Sequence, residues 1–467
     1  MPQAPTVAVP KRLPLVIAPE NRGSATDKDA KLVNCYVEKQ SDGSYEICKR
    51  PGLLQDSRPP GADAAGAGLF NWLGNVYSVF GAVLYKDGVS LGAVNSTGGV
   101  YRFDSTLGSV PKLVLGNGIF AYYYSVSTGL VLISDPQFPA AFVKGWSYLD
   151  GTTYVGLANA NIQGSDINDP SAWDALNTIV AQIEPDRGVA LAKQLVYTIM
   201  LKQWSTEVFY DAGNATGSPL SPVQGAKVNY GCVSSDSVQS IDGILLWVST
   251  NQSASSEIMK MEGLKVEKIS TDPIERLLDG ADYSTVYSFQ FKENGHRFYV
   301  LTVKNEDLTL CYDLDQKMWY QITDVNGNYW PFVASTYNTT TLKHQLQHET
   351  NGRIYLMNAS YFTDNRDIIT VDIVTPNFDG EVSRKKQMNR MTFLTDVVEG
   401  SELLVRKNDH DYATGKWSNF RKVNLAKKLP GLPNCGTFIR RAHNFRHQKA
   451  TAFRLKAIEL QLDIGTL

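Results

Sequence analysis

The sequence predicts an all-β fold: a β-propeller with a second β-rich platform domain formed by the N- and C-terminal segments. The 467 residues include 23 Tyr, 18 Phe, 8 Trp and 37 Gly, which suit pleated strands and their turns. Short apolar and aromatic runs alternate with turn signals about every ten residues, and helical periodicity is scarce. The chain is also longer than the roughly 250–300 residues of a single hydrophobic core, which favours more than one domain.

The first segment, residues 1–60, differs in composition from the middle of the chain and is predicted to be the N-terminal part of the platform. Prolines interrupt its beginning, at Pro2, Pro5, Pro10, Pro14 and Pro19. It therefore lacks the uninterrupted apolar stretch that a signal peptide or a membrane helix needs. We expect no membrane anchor.

Residues 61–377 are predicted to form the propeller. Tight hairpins need backbone positions with positive φ. Candidates for these positions are Gly74-Asn75, Lys86-Asp87-Gly88, Gly98-Gly99 and Gly116-Asn117-Gly118. Units of similar form recur, each an apolar strand, a turn and a second strand that ends in an aromatic residue. They are Val76–Gly88, Gln194–Tyr210 and Arg297–Ile322. The pattern favours a propeller over a sandwich or a barrel, but it does not fix the number of blades.

The clearest helical signal is short. It runs from Asp272 to Gly280, with Asp272 at the N-cap position, Pro273 in the first turn and Gly280 at the end. This predicts one or two helical turns within an otherwise β-rich region.

Residues 378–467 are predicted to be the C-terminal, basic part of the platform. The segment from Thr451 to Leu467 alternates between apolar and polar residues, but the phase changes between Ala457 and Ile458. A change of phase predicts a bulge or a change of face. We expect this strand to join the two flanks into one β-rich unit that the propeller interrupts.

Charge is unevenly distributed. The net charge is −2, yet Arg384 to Lys456 hold 17 Lys/Arg against 5 Asp/Glu, which leaves −14 for the rest. Such asymmetry favours an anionic partner, either nucleic acid or an acidic protein face. The alternative, a basic face that pairs with the acidic body of the same protein or of a neighbouring copy, stays open.

Acidic residues cluster at Asp166, Asp169 and Asp174, and paired carboxylates are what a glycoside hydrolase uses. They flank Pro170, however, and an Asx-capped turn is the favoured interpretation. The segment with Asp409, Asp411, Gly415 and Trp417 loosely resembles the Asp-box hairpin of sialidase-type propellers, with wider spacing and no leading Ser. That motif is structural.

Metal and cofactor chemistry has little support. His344 and His348, and likewise His443 and His447, are spaced i, i+4, but neither segment looks helical, and on a strand this spacing separates two side chains by about 13 Å. The five cysteines form no CxxC pair and are expected to be reduced and mostly buried. No GxSxG elbow, Walker loop or strand-linked GxGxxG is present. We therefore predict no enzyme activity, no cofactor and no metal site.

Several stretches, in one order along the chain, are similar to the packaged-DNA stabilisation, or tail-hub nozzle, family of short-tailed bacteriophages. They are Asn34–Leu53 (NCYVEKQSDGSYEICKRPGL), Ser147–Val155 (SYLDGTTYV), Ser165–Asn177 (SDINDPSAWDALN), Ile183–Val238, Ile241–Thr250 (IDGILLWVST), Val266–Leu278 (VEKISTDPIERLL), Lys292–Val303 (KENGHRFYVLTV), Leu308–Thr323 (LTLCYDLDQKMWYQIT) and Tyr361–Asn365 (YFTDN). The core of the resemblance, residues 145–323, covers over a third of the chain. The proline-rich leader and the weak Asp-box hairpin depart from the family.

This resemblance implies a homohexameric ring below the portal and adaptor proteins, with each subunit carrying a propeller and the bore continuing the exit channel for phage genomic DNA. Contact with that DNA would be independent of sequence, and a tail needle or fibre protein would lie near the distal end. The chain would be a virion protein of the phage tail, assembled in the host cytoplasm, that retains DNA until ejection.

Under this reading the acidic-to-neutral propeller surrounds the channel, since many Lys/Arg contacts to phosphate would slow ejection. The basic segment would face a protein partner. The candidate interface residues are Arg384, Lys385, Lys386, Arg440 and Arg441. Two alternatives stay open: a propeller glycosidase, which needs a pocket with two carboxylates, and a glycan-binding host-recognition propeller, which needs exposed aromatics on one rim.

Overall fold

The computed structural model describes residues 11–13, 15, 30–56, 64–226, 228–253 and 256–464. Nearly all regular structure in these residues is β-strand. No helix among them is both long enough and apolar enough to span a bilayer. Most of the proline-rich leader lies outside the described residues.

The described N-terminal residues form short strands. They are β1 (Lys11–Arg12), β2 (Lys31–Val33), β3 (Cys35–Lys39), β4 (Tyr45–Lys49) and β5 (Gly52–Gln55).

The next strands form successive four-stranded antiparallel sheets, the blades. Blade 1 is β6 (Gly66–Trp72), β7 (Asn75–Phe80), β8 (Val83–Lys86) and β9 (Val89–Ala93); blade 2 is β10 (Arg102–Ser105), β11 (Leu113–Gly116), β12 (Ala121–Ser125) and β13 (Gly129–Leu132); blade 3 is β14 (Ser147–Leu149), β15 (Thr152–Gly156), β16 (Asn161–Asp166) and β17 (Asp169–Val180). Blade 4 is β18 (Gly188–Gln194), β19 (Tyr197–Lys202), β20 (Thr206–Asp211) and β21 (Leu220–Pro222); blade 5 is β22 (Gln239–Ile241), β23 (Ile244–Ser249), β24 (Glu257–Glu262) and β25 (Lys265–Lys268). Blade 6 is β26 (Val286–Glu293), β27 (His296–Val303), β28 (Leu308–Asp313) and β29 (Met318–Gln321); blade 7 begins with β30 (Phe332–Asn338), β31 (Lys343–His348) and β32 (Ile354–Asn358).

Within the described residues the blades number seven and close into a ring. The first strand of a blade packs next to that of its neighbour, and β30 of blade 7 contacts β6 of blade 1. The fourth strand of blade 7 is β5, which pairs antiparallel with β32. A strand from the N-terminal segment thus completes the last blade, so this part of the segment predicted to be platform contributes to the propeller.

Apolar side chains fill the spaces between neighbouring blades. Between blades 1 and 2, for example, the ring of Tyr124 lies 5.6 Å from Tyr77 and 6.3 Å from Trp72. Similar clusters separate five of the other blade pairs, and the contact between blades 6 and 7 belongs to the core that the propeller shares with the platform. Because a single sheet cannot bury its own faces, each blade depends on its neighbours, and ring closure leaves no blade with an uncovered face.

The predicted turns are largely where the sequence indicated. Gly74, Gly88 and Gly118 have φ of +77°, +82° and +92° and lie in hairpins. Gly98 and Gly99 also have positive φ, but they lie in the connection between blades 1 and 2 and not in a hairpin. The recurring sequence units cover the second and third strands of blades 1, 4 and 6, and in blade 6 also the fourth, so they do not coincide with whole blades.

The predicted helix is α1 (Asp272–Leu278). Its N-cap is Thr271, one residue before the predicted Asp272, and no side-chain cap hydrogen bond forms. Asp272 lies instead in the first turn, where a carboxylate stabilises the helix dipole. Gly280, with φ of +71°, follows the end as predicted.

After blade 7 the chain builds the rest of the platform. The strands are β33 (Thr363–Asp364), β34 (Asp367–Ile368), β35 (Val371–Val374), β36 (Lys386–Thr395), β37 (Glu402–Asn408), β38 (Arg421–Asn424), β39 (Gly431–Phe438), β40 (Ala442–His447) and β41 (Arg454–Ile464). One sheet has the order β3-β4-β41-β36-β39, with β1 also paired to β41. The other extends blade 6 outward, from β29 through β2, β35, β40 and β37 to β38.

The fold class is therefore confirmed: a β-propeller accompanied by a β-rich unit to which both ends of the chain contribute. The domain boundaries, 1–60, 61–377 and 378–467, stay a prediction. The bulge expected in the last strand is present, since Leu394 and Thr395 face Ala457 and Leu455, so Lys456 is the extra residue.

Candidate partner interface

The five basic residues predicted to face a partner do not share one surface. Arg384 and Lys385 are exposed in the segment before β36, and Arg440 is exposed between β39 and β40. The side chain of Arg440 lies 3.5 Å from Asp411. Lys386 and Arg441, in contrast, have relative exposures of 1% and 0%.

Arg441 is a buried clamp. Its Nε and Nη2 donate to the two carboxylate oxygens of Asp409 at 2.5 and 2.9 Å. Nη1 donates to the carbonyl of Cys435 at 2.8 Å, and Nη2 also donates to the carbonyl of Thr437 at 3.0 Å. The guanidinium stacks over Phe438, 4.4 Å from the ring centre. The prediction that Arg441 faces a partner is wrong, because no donor-bearing edge of this side chain reaches the surface.

Lys386 is also directed inward. Its ammonium donates to the carbonyls of Val382 and Arg384, at 2.5 and 2.7 Å. Burial lowers the pKa of Lys386 below the usual lysine value. The partner prediction is therefore wrong for this residue too. The strand period could have shown it, since Lys386 shares a face of β36 with buried Met388.

The basic flank, residues 384–456, is only partly neutralised by carboxylates of the same chain. Ion pairs with carboxylates are made by Lys422, Arg440, Arg441, Arg446, Lys449, Arg454 and Lys456. The other Lys and Arg side chains between Arg384 and Lys456 have no ion pair to a described carboxylate. An intramolecular basic face thus accounts for part of the charge asymmetry, and a surplus of positive charge remains.

A cavity of about 480 Å³ lies beside the first strands of blades 2, 4 and 5, and the connection before blade 3 also lines it. Asp236 pairs there with Lys144 at 2.7 Å and with Arg102 at 3.5 Å. These bonds tie the first strand of blade 2 and the connection before blade 3 to the connection before blade 5. A cavity of this size suits a small molecule.

Blade 4 contains a buried charge cluster that the sequence did not indicate. Lys202 is fully buried and lies 3.0 Å from Asp186 and 2.6 Å from Glu207. Asp186 also accepts hydrogen bonds from the backbone of Trp204 and from Ser205. Both carboxylates are thus occupied by a lysine and by blade 4 itself, an arrangement that holds the fold together. No local spacing links the three residues, so no motif could have found them.

The acidic residues of blade 3 flank Pro170 as predicted, but they lie at strand positions: Asp166 ends β16, Asp169 begins β17 and Asp174 lies within β17. Asp169 accepts from the backbone and the hydroxyl of Ser171, and it pairs with Lys112 at 2.7 Å. Asp174 accepts from the backbone of Leu176. These Asx bonds fix the path of the chain around Pro170.

Both histidine pairs lie on strands, as predicted, in β31 and β40. Burial lowers the pKa of His344 and His348 to about 4, and that of His443 and His447 to about 3. His344 accepts a hydrogen bond from the backbone of Lys292 through Nε2, as a neutral imidazole can. The described part of the chain contains no group of three or more His, Cys, Asp or Glu arranged to hold a metal ion. All five cysteines are free, buried thiols, as expected.

The segment that loosely resembles an Asp box lies in the platform, between β37 and β38, and not in a blade. Asp409 binds Arg441, and Trp417 stacks on Arg406, with the guanidinium carbon 4.8 Å from the ring centre. Both residues are therefore structural here, in agreement with the sequence interpretation. The stacking on Arg406 was not anticipated from the sequence.

Comparison with known proteins identifies one family. The phage stabilisation model (Phage_stabilise), described as bacteriophage P22 Gp10, β-propeller, matches residues 31–361. The match extends from β2 to the end of blade 7. No curated protein matches the chain.

Solved structures with a similar arrangement of strands are distant in sequence. A catalytically inactive virginiamycin B lyase from Staphylococcus aureus is 8% identical, with 66% of this chain and 99% of that chain covered and a TM-score of 0.45. A chain of the mitotic checkpoint complex is 11% identical (65% and 92% covered, TM-score 0.39), and the N-terminal domain of Nup159 is 9% identical (70% and 99% covered, TM-score 0.38). None of these scores reaches 0.5, and the propeller assignment depends on the strands and on the family.

Proposed function

The chain belongs to the phage stabilisation family, and from this premise we propose that it is a structural component of the tail of a short-tailed phage. In this role it is one subunit of a tail-hub or nozzle ring that extends the DNA exit channel and retains packaged DNA until ejection. The observation that carries the proposal is the family match over residues 31–361, which includes every blade. The protein is a virion component, assembled in the host cytoplasm.

In this proposal DNA runs through a bore shared between copies and not through a single propeller. Inside one propeller, Arg102 of blade 2 and Lys144 of the next connection both pair with Asp236 from the connection before blade 5. A shared bore requires several copies side by side. A closed cyclic assembly, here a homohexamer, supplies such a bore with one repeated interface.

Rigidity supports the retention role. The N-terminal strand β5 closes the blade ring, and the outer strand of blade 6 continues through β2 into the platform. Arg50 fastens this junction with hydrogen bonds to Asp364 and to Asn34. A gate that resists pressure from packaged DNA needs subunits that do not deform, and here strand pairing joins the propeller to the platform at blades 6 and 7.

The charge distribution suggests an orientation for the subunit. Acidic-to-neutral propeller surfaces face the channel, where strong phosphate binding would slow DNA. The basic flank, with Arg384, Lys385 and Arg440 exposed, faces the portal–adaptor proteins, and a needle or fibre protein contacts the distal end. The role requires no reactive side chain, consistent with a non-enzyme.

Loss of the protein from the virion tests this function. Particles of the encoding phage that lack the chain are expected to package DNA and then release it, so that the genome becomes sensitive to DNase. Adding the purified wild-type protein should restore protection. A folded R384E/K385E/R440E variant should restore protection less well, because it reverses three exposed charges that are proposed to contact the portal–adaptor proteins. Full DNA retention without the protein would contradict the proposal.

Glycan recognition is a second candidate function, favoured by one pocket. Trp204, 39% exposed, lines a polar depression of about 480 Å³ together with Asn229, Asn251 and Gln252. An exposed aromatic ring beside amide groups is the composition of a sugar-binding pocket. Binding of host surface glycan that is lost in W204A, together with normal DNA retention, would favour this candidate.

A further inference from the structure

Arg406, in the basic C-terminal flank, has a hydrogen-bonding edge with no acidic partner among the described residues. Arg406 lies on β37 and is half-buried. It borders a cavity of about 590 Å³ on one face of the nine-stranded sheet that runs from blade 6 through β2 to β38. The segment around residues 414–420 borders this cavity. Unlike Arg441, it makes no ion pair with any described carboxylate.

The sheet register assembles the site from four strands. Lys31 pairs with Val374, Val374 with Asn444, and Asn444 with Arg406. Directly paired residues on neighbouring strands share a face of the sheet. Side chains that are far apart in sequence thus form one row across the floor of the cavity, and Arg446 lies on the same face two residues further along β40.

The guanidinium of Arg406 is held rigidly. Its central carbon lies 4.8 Å from the ring centre of Trp417 and 4.7 Å from that of Phe420, and its Nε donates to Asn444 Oδ1 at 2.7 Å. These contacts fix the plane and the orientation of the group. The terminal nitrogens, Nη1 and Nη2, have no acceptor among the described residues.

The neighbouring charged side chains do not accept hydrogen bonds from the terminal nitrogens of Arg406. Asp372, the one carboxylate that lines the cavity, accepts from Arg446 at 2.6 Å and from Asn444. It is therefore occupied. Lys31, Arg406 and Arg446 together carry three positive charges against this one negative charge, so the cavity attracts an anion.

We propose that this cavity binds a carboxylate side chain from an acidic peptide segment of a protein partner, with Arg406 as the bidentate donor. A planar guanidinium with two free parallel donors matches a planar carboxylate. Nucleic acid fits less well, because its phosphate backbone is bound by cations along an extended groove. Here a single pair of free donors, the Nη1 and Nη2 fork of Arg406, lies in a cavity whose walls include Val374 and aromatic rings. The site does not depend on the ring proposed above, because all of its residues belong to one subunit. Binding can therefore be measured on the isolated full-length protein.

Peptide binding tests the site. The probe is a fluorescein-labelled hexaglutamate peptide, with hexaglutamine as the neutral reference and a dT12 oligonucleotide as the nucleic-acid arm. Hexaglutamate should bind saturably and hexaglutamine should not. R406K keeps the charge but loses the fork, and it should weaken binding about 10-fold or more. K416M removes a nearby exposed charge outside the cavity and serves as the matched control, which should stay within about twofold.

Three results would overturn the inference: no saturable hexaglutamate binding, equal weakening in R406K and K416M, or R406-dependent binding of dT12 that is tighter than that of the peptide. A readout on the wild-type protein covers the case in which R406K does not fold. The Nε–H resonance of Arg406 should be displaced by ring currents from its two flanking rings, and it should shift further when hexaglutamate is added. A resonance that does not respond at saturating peptide would contradict the site.

Discussion

The blades and the platform are both antiparallel β-structure, but they differ in how far apart along the chain their paired strands lie. In blade 1, β6 ends at Trp72 and β7 begins at Asn75. In the platform, Ile47 pairs with Leu455, and Lys31 pairs with Val374. Closing such long loops costs conformational entropy before any contact forms. The propeller is therefore stabilised mainly by local hairpins and the platform mainly by long-range pairings, and each region also contains a buried ion pair whose partners only the fold brings together.

This comparison predicts where single substitutions act most strongly. The largest effect is expected inside the propeller, in K202M. This change leaves Asp186 and Glu207, each 2% exposed, without their shared cation. Breaking a buried ion pair on one side costs about 3–5 kcal/mol of unfolding free energy, measured by chemical denaturation. K202M/E207Q should recover part of the loss. A K202M variant as stable as the wild type would contradict a structural role for the cluster.

The second prediction concerns the strand that both regions share. Leu53 in β5 is 1% exposed, so L53A should cost about 2–5 kcal/mol and should destabilise blade 7 and the platform together. The adjacent Leu54 is 43% exposed, and L54A should stay within about 0.5 kcal/mol. Separate unfolding transitions for the propeller and the platform in L53A would contradict the proposed coupling of the two regions through β5.

The third prediction compares two neighbouring arginines. R441M leaves Asp409 and two backbone carbonyls without their donor, which should lower the unfolding free energy by about 1–3 kcal/mol. R440M removes an exposed side chain and should change it by less than about 0.5 kcal/mol. The pair separates a structural arginine from a surface arginine. Equal denaturation midpoints for both variants would contradict this assignment.

The smallest expected effect depends on pH. Burial lowers the pKa of His447 to about 3, below the usual 6.5, so its neutral form stabilises the fold above pH 6.5. This contribution is lost as the pH falls from 6.5 towards 3, by about 1.4 kcal/mol for each pH unit. H447Q should therefore reduce the loss of stability between pH 7.5 and pH 5.5 by about 1.4 kcal/mol. An unchanged pH dependence in H447Q would mean that His447 is not kept neutral by the platform.

The same difference between local and distant pairing explains what the sequence could predict. Hairpins such as Val76–Gly88, the helix at Asp272–Leu278 and the bulge near Ala457 depend on neighbours in the chain, and their patterns are visible. The pairing of β5 with blade 7 depends on residues some three hundred positions later, so nothing local indicates it. The sequence did not show the number of blades, because the recurring units cover the second and third strands and leave out nearly all of the first.

The candidate interface was predictable only in part, for a related reason. A count of basic residues identifies the flank but does not distinguish exposed from buried charges. The strand period would have placed Lys386 beside buried Met388. The burial of Arg441 depends on Asp409, and the exposure of the Arg406 fork depends on Trp417 and Phe420, which only the folded chain brings into contact.

The most direct test of the central claim, that this chain works through repeated self-contact around a DNA channel, is electron microscopy of the purified protein alone and with its portal–adaptor complex. We expect closed rings, sixfold when joined to the complex, with propellers around a bore and the basic flank against the adaptor. A monomer that neither forms rings nor joins the complex would contradict the account.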